Sequence, residues 1–476
     1  MPYEGEFADK ASHFDIVKNP EVAAFLNEQC DFIKPPSESE GKAIAARFVV
    51  PPSFDESLLP RRVIATDGSL LETSWDEQLP STRIGYVKVG SVLIDMQDFQ
   101  GLRVCGGRMV DPFKVAALER NKDALTFPLP SANVRFMGKD NVRDGFRAAV
   151  DAHLASEKTW LVPGNPRTSL RSTLFMLASR RQGKYAGQPM GTGDPSRLRI
   201  HKCPDCGQGP VEVADIPDQQ YCPHCGSDVY PADCLRLWEE ISDYQSNEAV
   251  FRRFMLIVEH LLVAHYIRFA YELEKSLSSL SELAFFVDGP LAIHGTAAWL
   301  HGSLMSYLHD INTRLEECGY GRLLVIGLQK SGAVVDHVRL IDRFIPNNRL
   351  FAIDDDYRYT YIRAGKDPSG NTFGYETYYG QDFIYKTPSG RVFVFALPYP
   401  FASKHPEGVD FKAAKVELNR YPELARALTL IHHFESDLYE NAVIPVALAH
   451  RYTAISLEPG GRVLNLLTNR ALEQKV

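Results

Sequence analysis

Four cysteines constrain this chain more than any other feature. Cys203 and Cys206 lie in KCPDCG, Cys222 and Cys225 in YCPHCG, and 15 residues separate the inner pair. Two C-x-x-C pairs at that spacing can surround one Zn²⁺ with four thiolates. The glycine after each second cysteine permits a tight knuckle turn that aims backbone N–H groups at sulfur. A redox C-x-x-C would be single and would open a helix. A closed four-thiolate site has no open coordination position, so the expected zinc is structural. Basic residues precede it (Arg180, Arg181, Lys184, Arg197, Arg199, Lys202), which raises a DNA or partner contact as a further role. His201 and His224 are expected to be exposed and not ligating.

The other four cysteines, Cys30, Cys105, Cys234 and Cys318, have no visible pairing and read as buried free thiols. Eight cysteines in 476 residues are too few for a disulfide scaffold. The polar, acidic start (MPYEGEFADK) does not read as a signal peptide. No window reaches the roughly 18 apolar residues of a membrane helix. The chain therefore reads as cytoplasmic, with no membrane partner. A net charge of -8 does not attract nucleic acid by itself, so DNA binding needs a local basic stretch or a basic partner.

Apolar runs and turn signals give an α/β pattern. Residues 1–60 form a leader ending in proline-rich chain. RRVIATDGS reads as a strand with a turn at its end, and 83–98 as half-buried strand, suggesting an antiparallel meander. Residues 112–125 and 141–156 read as helices, and about 235–280 as a long apolar helical segment. AFFVDGPL, RLLVIGLQKSG and RVFVFALPYP read as buried strands, with helices between and after them. The expected division is 1–60 leader, 61–200 first part of the main domain, 201–232 zinc ribbon, and 233–476 second part.

Two strands carry an Asp-Gly step, at Asp67 and Asp288. A carboxylate at a strand end is held firmly, and the glycine leaves room for a metal or phosphate. Two such carboxylates on neighbouring strands repel unless a divalent cation neutralises them. A Mg²⁺ or Mn²⁺ pair there would activate water for phosphodiester hydrolysis. Glu259, in FRRFMLIVEHLLVAHYI, is the acidic residue on an apolar helix that such a site needs; Glu119 and Asp144 are second choices. The order strand Asp, helix Glu, strand Asp is that of the ribonuclease H-like metal site. His450 is placed to ligate or to move protons. Lys330, just past a strand, suits a phosphate. IDDDYRY at 353–359 is a rival acidic cluster and reads as a solvated turn. Tyr375, Tyr378, Tyr379, Phe383 and Tyr385 are expected either to stack on unpaired bases or to pack the sheet.

These residues resemble the NurA nuclease family: TDGS at 66–69, LRLWEE at 235–240, Glu259, VDGPL at 287–291, LQKSG at 328–332 and ALAH at 447–450. The likeness runs from about residue 60 to the C-terminus, with the ribbon inserted. It implies a ribonuclease H-like mixed sheet flanked by helices, Mn²⁺-dependent cleavage of DNA, a homodimer, and a hexameric HerA-type ATPase as partner. Asp67, Glu259 and Asp288 match the metal-binding acids, and His450 the late helix histidine. The family tyrosine expected before that histidine falls on Ala442. Two other functions stay open: an inactive adaptor between ATPase and DNA, and a nuclease acting on RNA or hybrid.

Overall fold

The thirteen residues Arg62–Ser74 form one long strand, β1, paired antiparallel along its whole length with β2, Arg83–Asp95. In the computed structural model the described residues are 14–30, 34–74, 79–100, 122–183, 190–273, 275–363, 372–436 and 442–455. β3 (Lys122–Pro130) continues the meander beside β2. Two small two-stranded sheets follow: β4 (Arg197–Ile200) with β5 (Val211–Ala214), and β6 (Gln220–Tyr221) with β7 (Asp228–Val229). Then come β8 (Leu283–Asp288), β9 (Leu324–Gln329), β10 (Arg349–Ala352), β11 (Gly380–Lys386) and β12 (Val392–Pro398). The main sheet has eight strands in the order β10-β11-β12-β9-β8-β1-β2-β3. β1, β8 and β9 run parallel and every other neighbour is antiparallel. This is the mixed, helix-flanked sheet expected from the sequence.

Among the described residues, the helices of eight residues or more are α1 (Glu38–Ala45), α2 (Val142–Ala155), α3 (Leu170–Ser179), α4 (Glu248–Arg268), α5 (Leu300–Glu317), α6 (Ala333–Ile341), α7 (Leu424–His433) and α8 (Ile444–Thr453). Strand alternation sends Val63 and Ala65 to one face of the sheet and Ile64 and Leu70 to the other. The first face packs on α7 and α8, through Leu428, Ile431, Val446 and Leu448. The second packs on α2 to α5, through Phe146, Leu174, Phe254, Val258 and Leu304. α1 and α6 cover a smaller cluster over β10 to β12.

Several sequence expectations need correction. Residues 122–125 are strand and not helix, because β2 offers them a partner; 112–121 lie outside the described residues. The segment 235–247 is short 3₁₀ turns and loop, and the long helix starts at Glu248. By length and composition Glu248–Glu272 suffices to cross a membrane, contrary to expectation, but 67% of its apolar window is buried within the protein. Cys234 is buried as expected, whereas Cys318 is exposed and Cys30 half-buried; Cys105 lies outside the described residues. IDDDYRY is no solvated turn. Asp355 is buried against Lys415 at 2.5 Å, and Asp354 accepts from the Tyr357 N–H to start a helical turn. Tyr379, Phe383 and Tyr385 are buried packing residues, out of reach of a base.

Candidate metal centre

β1 and β8 pair in parallel up to Thr66 opposite Val287. The next residues on these neighbouring strands are Asp67 and Asp288. Asp67 does not end its strand: β2 carries β1 on to Ser74, so the Asp sits mid-strand where its parallel neighbour stops. Both aspartates belong to the face covered by α8. His450 on α8 donates from Nδ1 to Asp67 Oδ2 at 2.9 Å. Donor atoms of Asp67, Asp288 and His450 all lie within 4.8 Å of one another.

Lys330, one residue past β9, places Nζ 2.8 Å from Asp288 and 3.7 Å from Asp67. The lysine expected to bind phosphate thus holds the two acids together, and its ammonium supplies the positive charge that such a pair demands. Burial raises the Asp288 pKa, the Lys330 charge opposes this, and the Asp67 charge adds to it. The hydrogen bond to Asp67 raises the His450 pKa, against partial burial.

Glu259 approaches from the opposite face and stands outside the donor group that Asp67, Asp288 and His450 form. It is 3% exposed on α4, which lies across β1. A Cβ on Gly68 would stand 2.4 Å from Glu259 Oε1 and 2.5 Å from Met255 Cγ. Gly68 therefore makes room for the helix and its carboxylate, and not for a metal or phosphate. Gly289 differs: its φ of +102° demands glycine, and the space beside it is open. Burial pushes the Glu259 pKa well above the usual carboxylate range, with the charges of Asp67 and Asp288 adding to this and Lys330 opposing. Asp144 is elsewhere, paired with Arg147 at 2.9 Å, and Glu119 lies outside the described residues.

Lys88, which the sequence reading missed, and Ser69, of the TDGS step, fix α8 over the site. Lys88 Nζ donates to the Tyr452 carbonyl at 2.7 Å, and Ser69 Oγ accepts from the Ile455 N–H at 3.2 Å. A lysine inside the apolar run YVKVG, opposite Ser69 in the β1–β2 register, was the available signal.

Two carboxylates and an imidazole, with a third carboxylate beside them, are a hard oxygen and nitrogen donor set suited to Mg²⁺ or Mn²⁺. The four cysteines form a separate group. Sulfurs about 2.3 Å from a tetrahedral centre stand roughly 3.8 Å apart. Cys203 to Cys225 is 3.7 Å and Cys206 to Cys222 is 3.8 Å, so the thiols fit a tetrahedral metal site. Gly207 and Gly226, at φ +72° and +76°, close the two knuckles with N–H bonds to the Cys203 and Cys222 carbonyls. His201 and His224 are exposed and outside the ligand group.

The cysteine unit is locked onto α2. Arg147 makes a bidentate pair with Asp233, 2.8 Å on each arm, and also bonds the Asp228 carbonyl. Of the basic residues before it, Arg199 and Lys202 pair with Glu212 and Glu239, Arg197 lies 3.8 Å from Glu212, Arg180 pairs with Asp310, and Arg181 lies over Trp299. Lys184 is outside the described residues.

A family model described as the NurA domain matches residues 61–455. The chain belongs to the NurA domain family. The matched range contains all five candidate site residues and all four zinc-type cysteines. The crystal structure of the NurA nuclease from Sulfolobus solfataricus aligns over 98% of this chain and 96% of that one, at 9% identity and a TM-score of 0.36. A second NurA crystal structure aligns over 98% and 100%, at 10% identity and 0.28. With scores this low, NurA membership rests on the family match. No curated protein matches the chain.

Proposed function

We propose that this NurA-family protein is a divalent-metal-dependent DNA nuclease, with Mn²⁺ or Mg²⁺ held by Asp67, Asp288, Glu259 and His450. The carrying observation is the 4.8 Å grouping of Asp67, Asp288 and His450 donors on adjacent parallel strands, with Glu259 buried behind Gly68. When bound, such cations activate water and stabilise the leaving oxygen of a phosphodiester. Asp67 and Asp288 are the anchoring ligands. His450, whose side chain is 55% exposed, holds a proton against Asp67 and can exchange it with solvent. Lys330 is placed to leave its acids for a substrate phosphate once a cation takes over their neutralisation. The four cysteines are proposed to hold a structural Zn²⁺ in a ribbon inserted at 201–232. A homodimer and a HerA-type hexameric ATPase are the partners that the family suggests.

The test is cleavage of single-stranded, duplex and hybrid substrates with Mn²⁺. Asp67→Ala and Asp288→Ala should abolish DNA cleavage while remaining folded. Full activity in both variants would end the proposal, and a preference for RNA or hybrid would reassign the substrate. A second reading, an inactive adaptor, is favoured by the Lys330 ion pair on both acids and by the buried Ala442 where the family tyrosine is expected. An adaptor would bind DNA without cleaving it under any metal.

A further inference from the structure

His260 follows Glu259 on α4 and is 1% exposed. Its Nδ1 lies 2.6 Å from the Tyr379 hydroxyl, and the two rings meet edge to face at 5.5 Å. Its Nε2 makes no hydrogen bond of ordinary geometry, although the Ala292 carbonyl is close enough to act on it. Tyr379, 2% exposed, is itself pinned to the chain that follows Asp288. Its N–H donates to the Leu291 carbonyl at 2.9 Å, Ile293 N–H donates to Thr377, and Ala292 bridges Tyr378. That loop crosses close over β9: Gly289 N–H bonds Leu328, and a Cβ on Gly327 would stand 2.7 Å from the Gly289 carbonyl.

One continuous path therefore joins two acids that are 29 residues apart in sequence: Glu259, His260, Tyr379, the 289–293 loop and Asp288. Directional bonds of His265 to Thr173 and Thr159 and of Tyr266 to Ser91 hold the later turns of α4, and the His260–Tyr379 bond acts in the turn of Glu259 itself. Adjacent helix residues differ by about 100° around the axis, so a directional bond at position 260 sets where the side chain of 259 is aimed. We infer that the His260–Tyr379 pair is a positioning device that fixes the Glu259 carboxylate relative to Asp288. This rests on reading the acidic site as metal-binding. Neither residue belongs to the donor group of Asp67, Asp288 and His450.

The test is Mn²⁺ binding by full-length protein, followed by electron paramagnetic resonance titration, with thermal melting alongside. Tyr379→Phe keeps the ring and removes the bond. It should weaken Mn²⁺ binding by about 10-fold, the low end of what losing a ligand's own hydrogen-bond partner costs, since Tyr379 acts on Glu259 only through His260. In a Glu259→Gln background the same change should have no further effect, because the coupling runs through that carboxylate. Should Tyr379→Phe fold poorly with His260 left unpaired, the double variant His260→Leu with Tyr379→Phe removes both partners, and the same loss is expected. Unchanged Mn²⁺ binding in the Tyr379→Phe protein, or an equal loss in the Glu259→Gln background, overturns the inference and leaves the metal site standing. Wild-type protein that binds no more Mn²⁺ than Asp67→Asn overturns both.

Discussion

Gly68 and Glu259 share one space: a methyl group on the glycine would stand 2.4 Å from the glutamate oxygen. Asp67 precedes that glycine and points to the other face of β1. A single strand thus presents one carboxylate directly and admits another from the helix behind it.

Gly68→Ala should therefore cost some stability and be severe for activity. The obstructing atoms are Glu259 Oε1, the end of its side chain, and Met255 Cγ, one bond beyond Cβ, so the whole Met255 side chain must move with the carboxylate. Stability should fall by about 1–3 kcal/mol, the usual range for overpacking. Displacing the carboxylate should cut metal-dependent DNA cleavage about 100-fold. Melting curves and single-turnover rates check both; wild-type cleavage by the alanine variant would remove Glu259 from the site.

Lys330→Met should expose the repulsion between Asp67 and Asp288. Without metal the variant should be less stable than wild type by about 1–3 kcal/mol, the cost of leaving charged groups without a partner. Added Mn²⁺ should raise its Tm more than that of wild type, because the cation replaces the lost ammonium. Equal Mn²⁺ shifts in the two proteins would show that lysine and metal do not share the acids.

The His450–Asp67 contact should leave a pH signature in metal-free protein. The folded pKa of His450 is raised, chiefly by its hydrogen bond to Asp67. Its contribution to stability is present in full below the unfolded value, near 6.5, and fades as pH rises through the higher folded value. His450→Gln should flatten that part of the stability profile, measured by urea unfolding from pH 5 to 8. A profile that keeps its shape would assign the dependence to other groups.

Cys222→Ser should release one metal ion per chain, counted by elemental analysis. Cys203 and Cys222 are 0% and 2% exposed and join the core beneath α2 and α3. The Tm should consequently fall by roughly 5 °C or more. DNA cleavage should survive below the new Tm, since the acidic site is built from other strands. Metal content unchanged by the substitution would contradict a four-thiolate site.

Much of this was legible in local pattern. The apolar runs around Asp67, Asp288 and Gln329 read correctly as strands, and the cysteine spacing read as a metal knuckle. What pattern could not carry was partnership across the chain. Asp67 reads as a strand end because Asp-Gly favours turns, yet β2 extends β1 by seven residues beyond it. Asp355 reads as solvated among its acidic neighbours, because Lys415 lies 60 residues away in sequence. Lys330 reads as free for phosphate because nothing local shows that it stands above two acids from other strands. Gly68 reads as clearance for a ligand because the helix that fills the space begins at Glu248.

The most direct test is an anomalous difference map from crystals soaked in Mn²⁺. A peak within bonding distance of the Asp67 and Asp288 carboxylates, with His450 or Glu259 completing the shell and Lys330 turned away, is the predicted result. Bound Mn²⁺ elsewhere, with Lys330 still seated between Asp67 and Asp288, would contradict the account.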